Sequence, residues 1–161
     1  MFTLAQETLA DLHEVEALYD LCFSPGREAL SSYRLRDGVA PVAELCLTLR
    51  DGEGIVVAAI RYWPVRVGQA PALLLGPVAV HPTRQGEGLG ALLMSESLAL
   101  ARKAGWARVM LVGDLPYYRR FGFRRLPAIE MPPPTNPERV LGLALHLEAW
   151  TGIKGKVRRW G

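Results

Sequence analysis

The sequence predicts one α/β domain built on a mixed, mostly antiparallel sheet. Three observations predict it. Three strand-like runs follow one another between tight-turn signals, the pattern of an antiparallel meander. A long helix that opens on glycines then leads to a further buried strand, and a crossover of that kind makes the strands on either side of it parallel. The chain has 161 residues, 50% of them hydrophobic, which suits a single compact core spanning residues 1–161.

The elements follow in order. Phe2 to Gln6 alternates weakly and reads as a first strand. Leu9, Leu12, Val15, Leu18, Leu21 and Cys22 recur at helical spacing, so Leu9 to Phe23 reads as an amphipathic helix. Ser24-Pro25-Gly26 interrupts the chain, and Arg27 to Leu35 reads as a second, short helix. Val42 to Leu49 reads as a strand, Asp51-Gly52-Glu53-Gly54 as a hairpin turn, and Ile55 to Val67 as the returning strand, with Pro64 marking a bulge or an edge. After a turn at Gly68 to Pro71, Leu73 to Val80 is the third apolar run. Gly86 to Ala104 reads as the crossover helix, stopped by Gly105, and Ala107 to Val112 as the buried strand beyond it. Leu115 to Arg120 reads as a short helix with Asp114 placed to cap it. Pro132-Pro133-Pro134 is a rigid connection, and Val140 to Trp150 a last long strand.

Composition narrows the function classes. No apolar run reaches the roughly 18 residues of a membrane span, and Met1 to Asp11 lacks the basic-then-apolar pattern of a signal peptide, so no membrane partner and a cytoplasmic location are expected. Cys22 and Cys46 have no metal-ligand spacing and make no disulfide framework; no metal is expected. The net charge of +3 rests partly on Lys154, Lys156, Arg158 and Arg159, read as a solvated basic tail. Nucleic-acid binding would need a larger basic face with interleaved aromatics and is not expected.

The informative stretch runs from Leu75 to Ala91: a strand, a short loop, and a helix opening on Gly86, Gly88 and Gly90. A helix start carries unpaired N–H groups and the positive end of the macrodipole, and glycines let a ligand approach that backbone, so the segment suits a pyrophosphate. A P-loop is excluded, because no Lys-Ser or Lys-Thr follows the glycines. Gly86-x-Gly88-x-x-Ala91, with Asp114 ending the next strand, fits a permissive dinucleotide pattern. Against it, His81 to Gln85 separate the strand from the first glycine, and the 47 residues after Asp114 are too few for the further βα units that fold needs.

A third reading fits better. Gln85-Gly-Glu-Gly88-Leu-Gly90 resembles the Gln/Arg-x-x-Gly-x-Gly/Ala signature of the GNAT acetyltransferases, and Tyr118-Arg-Arg-Phe-Gly122-Phe123 is similar to the Tyr-x-x-x-Gly-Phe that closes the acetyl-CoA site in that family. The phrase Leu111 to Phe123 resembles a bacterial, YhbS-like subgroup.

The resemblance implies a mostly antiparallel sheet with a splayed parallel strand pair, helices on both faces, and acetyl-CoA as co-substrate. It places pantetheine against the backbone of Val78, Ala79 and Val80, and pyrophosphate on the N–H groups of Gln85, Gly86, Gly88, Leu89, Gly90 and Ala91, with Arg84 either adding charge or solvated. It makes Tyr118 the proton donor to the departing thiolate, with Tyr117 an adjacent substitute. Asp114 stands where many members have asparagine, so its part, as cofactor contact or helix cap, stays open. For the base, Glu44, Glu130 and His81 are candidates, and for the acceptor wall Arg27, Tyr33, Arg34, Arg61, Tyr62 and Trp63. The implied activity is direct acetyl transfer to an amine of a small molecule or a protein. Two alternatives remain: a GNAT module that binds acetyl-CoA without catalysis, as a sensor, and a nicotinamide-dependent oxidoreductase. An exposed sheet flank leaves room for a homodimer.

Overall fold

The computed structural model describes residues 1–23 and 31–161, with the backbone alone at Ser31. Arg27 and the Ser24-Pro25-Gly26 break fall outside the described residues. Strand β1 (Thr3–Gln6) is followed by a 3-10 turn and helix α1 (Leu12–Cys22), then by α2 (Ser31–Arg34). The meander is β2 (Leu47–Arg50), β3 (Val56–Val67) and β4 (Ala70–Val80). The crossover helix α3 (Leu89–Lys103) leads to β5 (Arg108–Val112) and α4 (Leu115–Tyr118). Short strands β6 (Arg124–Arg125) and β7 (Ile129–Glu130) precede β8 (Val140–Ala144) and β9 (Gly155–Arg159).

The sheet runs β1-β2-β3-β4-β5-β8-β6, antiparallel throughout except for β4 beside β5. Strand alternation sends Leu73, Leu75, Val109 and Leu111 to one face, where they pack with Leu89, Leu93 and Leu98 of α3. On the other face, Ala59 and Ala79 meet Val15, Leu18 and Tyr19 of α1. Helix α3 forms because its sequence is rich in Leu and Ala and buries a stripe at helical spacing; it stops at Gly105, whose φ of 93° is open to glycine. Among the described residues no helix is long and apolar enough to cross a membrane.

Several boundaries differ from expectation, each for a local reason. The strand expected at Val42 to Leu49 begins only at Leu47, because Ala43–Leu45 close a 3-10 turn. Helix α3 begins at Leu89 rather than Gly86, because Gly86 and Gly88 hold φ of 84° and 79°, outside the helical region. Of the two expectations for Pro64, the edge holds and the bulge does not: it pairs with Leu73 inside β3, and its other flank falls between the end of β2 pairing at Ile60 and the start of β9 pairing at Val65. The strand expected to reach Trp150 ends at Ala144, since its partner β5 begins at Arg108 and leaves the later backbone without a ladder. The basic tail is no solvated end. It is β9, which pairs with β3 and β7 and buries Val157 while Lys156, Arg158 and Arg159 point outward.

Candidate active site

The site grows from a defect in the sheet. Strands β4 and β5 pair only at Leu73/Val109 and Leu74/Met110, although β4 continues to Val80. Just past those pairs the β3–β4 register shifts: Gly76 and Pro77 of β4 together oppose Arg61 of β3, a bulge that bends the strand. Gly76 has a φ of 134°, and Trp63 Nε1 donates to its carbonyl at 2.8 Å. Beyond the bulge the ladder resumes, with the His81 N–H donating to the Val57 carbonyl at 2.8 Å. In an antiparallel ladder alternate residues face the same neighbour, so Ala79 and His81 spend their backbone groups on β3, while Val78 and Val80 turn theirs toward the gap beside β5. The Val80 carbonyl is taken by Gln85 Nε2 at 2.8 Å and Cys22 Sγ at 3.4 Å. A pocket of about 310 Å³ occupies this gap, walled by Leu74 to Val78 and Leu111 to Asp114, with Tyr117, Tyr118, Tyr33 and Arg36 also lining it.

Tyr118 is held edge-on to Phe123 and Tyr117, with ring centroids 5.8 and 4.9 Å away. Burial, reinforced by Tyr117 and Asp114, pushes its phenol up to about 12, so it carries its proton throughout the neutral range. Its ring lies so close to Gly113 that a Cβ there would meet Tyr118 Cε2 at 2.5 Å. Tyr117 extends toward α3, where a Cβ at Gly90 would meet its hydroxyl at 3.1 Å. Asp114 occupies the cap position of α4, and its carbonyl accepts from the Tyr117 and Tyr118 N–H groups. Its carboxylate makes no cap hydrogen bond; it faces Arg139 at 3.4 Å and is largely exposed.

The glycine loop leads into the α3 N-terminus, whose first turn carries no acidic residue. Leu89 sends its side chain into the core, so it offers a ligand only its backbone; Gly90 has none to obstruct one, and Ala91 is half-buried. Arg84 is engaged by Asp51 at 3.3 Å and Glu87 at 3.6 Å.

The sequence model described as the Acetyltransferase (GNAT) family matches residues 12–123. The chain belongs to the GNAT acetyltransferase family. It is 33% identical over 116 residues to a protein of Escherichia coli strain K12 called uncharacterized N-acetyltransferase YhbS, covering 70% of this chain and 68% of that one. Its structure is similar to that of Escherichia coli YhbS in complex with CoA, at a TM-score of 0.84 and 27% identity, over 99% of this chain and 89% of the other. It is also similar to a GNAT acetyltransferase from Brucella melitensis in complex with acetyl-CoA, at a TM-score of 0.73 and 30% identity, over 100% and 97%. The mostly antiparallel GNAT sheet with one parallel pair and helices on both faces is therefore what this sequence adopts.

In this GNAT fold the proposed base candidates do not meet the pocket. Glu44 and Glu130 are exposed, and His81 Nδ1 caps a 3-10 turn by accepting from the Thr83 N–H at 3.2 Å. Of the acceptor-wall residues, Tyr33 lines the pocket, and Arg34 and Trp63 line a neighbouring one of about 560 Å³. Tyr62 is core, its hydroxyl 2.7 Å from Ser97 Oγ, and Arg61 is bound to Glu7 and Glu16. Arg36, unremarked in the sequence, lines both pockets while exposing only 7% of its surface. Its one sequence signal is Leu35 beside it, a buried position in a polar stretch.

The buried titratable groups set an alkaline limit on stability. Burial pushes the Cys46 thiol from 9.0 to about 11 and raises Tyr19 and Tyr62 as well as Tyr118. Each keeps its proton to higher pH in the folded state than in the unfolded chain. Their contribution is complete below about pH 9 and is lost as pH rises toward 12, by about 1.4 kcal/mol per pH unit for each group ionised only when unfolded. The melting temperature, followed by circular dichroism, is expected to fall continuously above about pH 9. A flat profile to pH 11 would show that these groups are more accessible than their burial indicates.

Proposed function

We propose that this GNAT protein transfers an acetyl group from acetyl-CoA directly to an amine of a small molecule or a protein. The observation that carries this reading is the placement of a half-buried Tyr118, holding its proton through the neutral range, on a pocket bordered by the unpaired backbone edge of β4. Acetyl-CoA supplies the activated acyl group as a thioester. The N–H groups of Val78 and Val80 donate along that edge, holding the pantetheine arm and taking up negative charge as it builds on the thioester oxygen. The glycine loop and the α3 N-terminus, from Gln85 to Ala91, seat the pyrophosphate; the first turn of α3 carries no acidic side chain, and the loop carboxylate of Glu87 lies 3.6 Å from Arg84. The acceptor nitrogen bonds to the acetyl carbon, the carbon–sulfur bond breaks, Tyr118 donates its proton to the departing sulfur, and the proton the nitrogen gives up passes to solvent, from which the Tyr118 phenolate regains one. Tyr117 fills the space between this centre and α3.

Thermal melting of the cofactor-free protein with acetyl-CoA, CoA, NADH and NADPH tests the reading. A ligand that binds only the folded state raises the melting temperature by mass action. A shift with acetyl-CoA and CoA alone is expected, followed by CoA release when an amine is added. A shift confined to the nicotinamides would overturn it, and a shift with acetyl-CoA but no turnover across a broad amine panel would favour a binding module without chemistry.

Gly113→Ala probes the same centre from behind. The added methyl group drives Tyr118 and Leu111 apart, since it would sit 2.5 Å from one and 3.0 Å from the other. Turnover is expected to fall by about tenfold or more, with a stability cost of about 1–3 kcal/mol. Unchanged kcat in a steady-state assay would mean that the position of the ring does not matter.

A further inference from the structure

Arg36 is a buried cation without a counter-ion among the described residues. The residue exposes 7% of its surface, and Nε and Nη1 have no hydrogen-bond partner. It stacks on the Tyr33 ring at 4.1 Å, lies 5.6 Å from the Trp63 ring, and rests against Gly76, where a Cβ would meet Nη2 at 3.2 Å. Trp63 is itself anchored on the Gly76 carbonyl. The fork is thus clamped by two aromatic rings and the β4 bulge, at the boundary shared by the Tyr118 pocket and its neighbour. Leaving two nitrogens of a buried guanidinium without partners is costly, and a rigid planar fork matches a carboxylate through two parallel hydrogen bonds.

Given the acetyltransferase reading, on which this rests, we propose that Arg36 seats a carboxylate of the acceptor, so that the preferred substrates are small amines bearing one. The carboxylate sits at the shared boundary, the amine reaches toward Tyr118, and the rest of the acceptor occupies the space lined by Arg34, Val39, Pro41 and Trp63. Arg34, whose Nη1 donates to the Pro133 carbonyl, adds positive charge at the outer rim.

The test uses matched acceptors: leucine, phenylalanine, glutamate and 4-aminobutanoate, each beside its carboxamide and the amine left when the carboxylate is removed. CoA release is compared per concentration of free-base amine. At least one carboxylate acceptor is expected to exceed its two partners roughly 10- to 100-fold in kcat/KM, the range of a charge-assisted pair. Arg36→Met is expected to reduce that preference to near unity while keeping the acetyl-CoA melting shift, and Arg36→Lys to retain part of it. Equal use of carboxylate and carboxamide by the unmodified protein would overturn the inference, with no variant needed. Turnover of neutral amines only, or a preference that survives Arg36→Met, would do the same. Loss of the acetyl-CoA shift in the unmodified protein would instead remove the acetyltransferase reading itself.

Discussion

Tyr118→Phe is expected to lower kcat by roughly 10²- to 10⁴-fold, the usual contribution of a positioned proton donor. The substitution removes one oxygen and keeps the ring, so the edge-on contacts with Phe123 and Tyr117 survive. The acetyl-CoA melting shift and the KM for acetyl-CoA should therefore change little, which separates proton donation from packing. Tyr117→Phe, altering the neighbouring hydroxyl, is expected to cost far less. Because burial holds the Tyr118 phenol at about 12, the unmodified protein should show no alkaline loss of rate from this group below about pH 11. If Tyr118→Phe retains turnover within threefold, the ring is packing and the thiolate takes its proton from elsewhere.

The second large effect is on stability. Arg61→Met is expected to destabilise the fold by about 3–5 kcal/mol, lowering the melting temperature by roughly 10 °C. Arg61 donates to both oxygens of Glu7, at 3.0 and 2.8 Å, and to Glu16 at 2.5 Å, with only 10% and 11% of the Arg61 and Glu7 side chains exposed. Its guanidinium also lies 5.1 Å from the Tyr19 ring. Removing the cation strands a buried carboxylate, which is the costly half of the change; removing both charges is not. Arg61→Met combined with Glu7→Leu should therefore recover most of the loss in a denaturant titration. A single variant that melts within about 2 °C of the parent would mean that Glu7 finds water instead.

This ion pair also ties the bulge to the first turn of the chain. Arg61 is the β3 residue opposite Gly76-Pro77, so Glu7 and α1 brace the point where β4 bends away from β5. Tyr19 of α1 adds a second brace, donating to the Pro77 carbonyl at 3.1 Å. The opening of the pocket thus depends on residues far from it in sequence.

How much could be read beforehand follows from which forces are local. The crossover helix, the strands around it and the turn at Asp51 to Gly54 announce themselves through spacing and glycine placement, because periodicity and φ preferences act over a few residues. The glycine loop and the Tyr118 to Phe123 phrase announce the family for the same reason: a phosphate seat and a close-packed tyrosine each demand particular residues at fixed short separations. Asp114 was legible as a position but not as an interaction, since its carboxylate turns to Arg139, a partner 25 residues on.

What the linear pattern did not contain was the pairing of distant segments. Lys156 to Arg159 reads as a charged tail until β3 is seen to offer it an edge, where one buried residue, Val157, suffices to dock a strand. Arg36 carries no local signal of burial beyond Leu35 beside it; Trp63, Tyr33 and Gly76 close around it only in the folded chain. Burial is a property of the assembled sheet rather than of a residue's neighbours in the chain. Local composition was therefore enough for the crossover helix, the strands around it and the family, while the pocket beside β4 and the enclosure of Arg36 between β3, β4 and the segment after α2 took shape only in three dimensions.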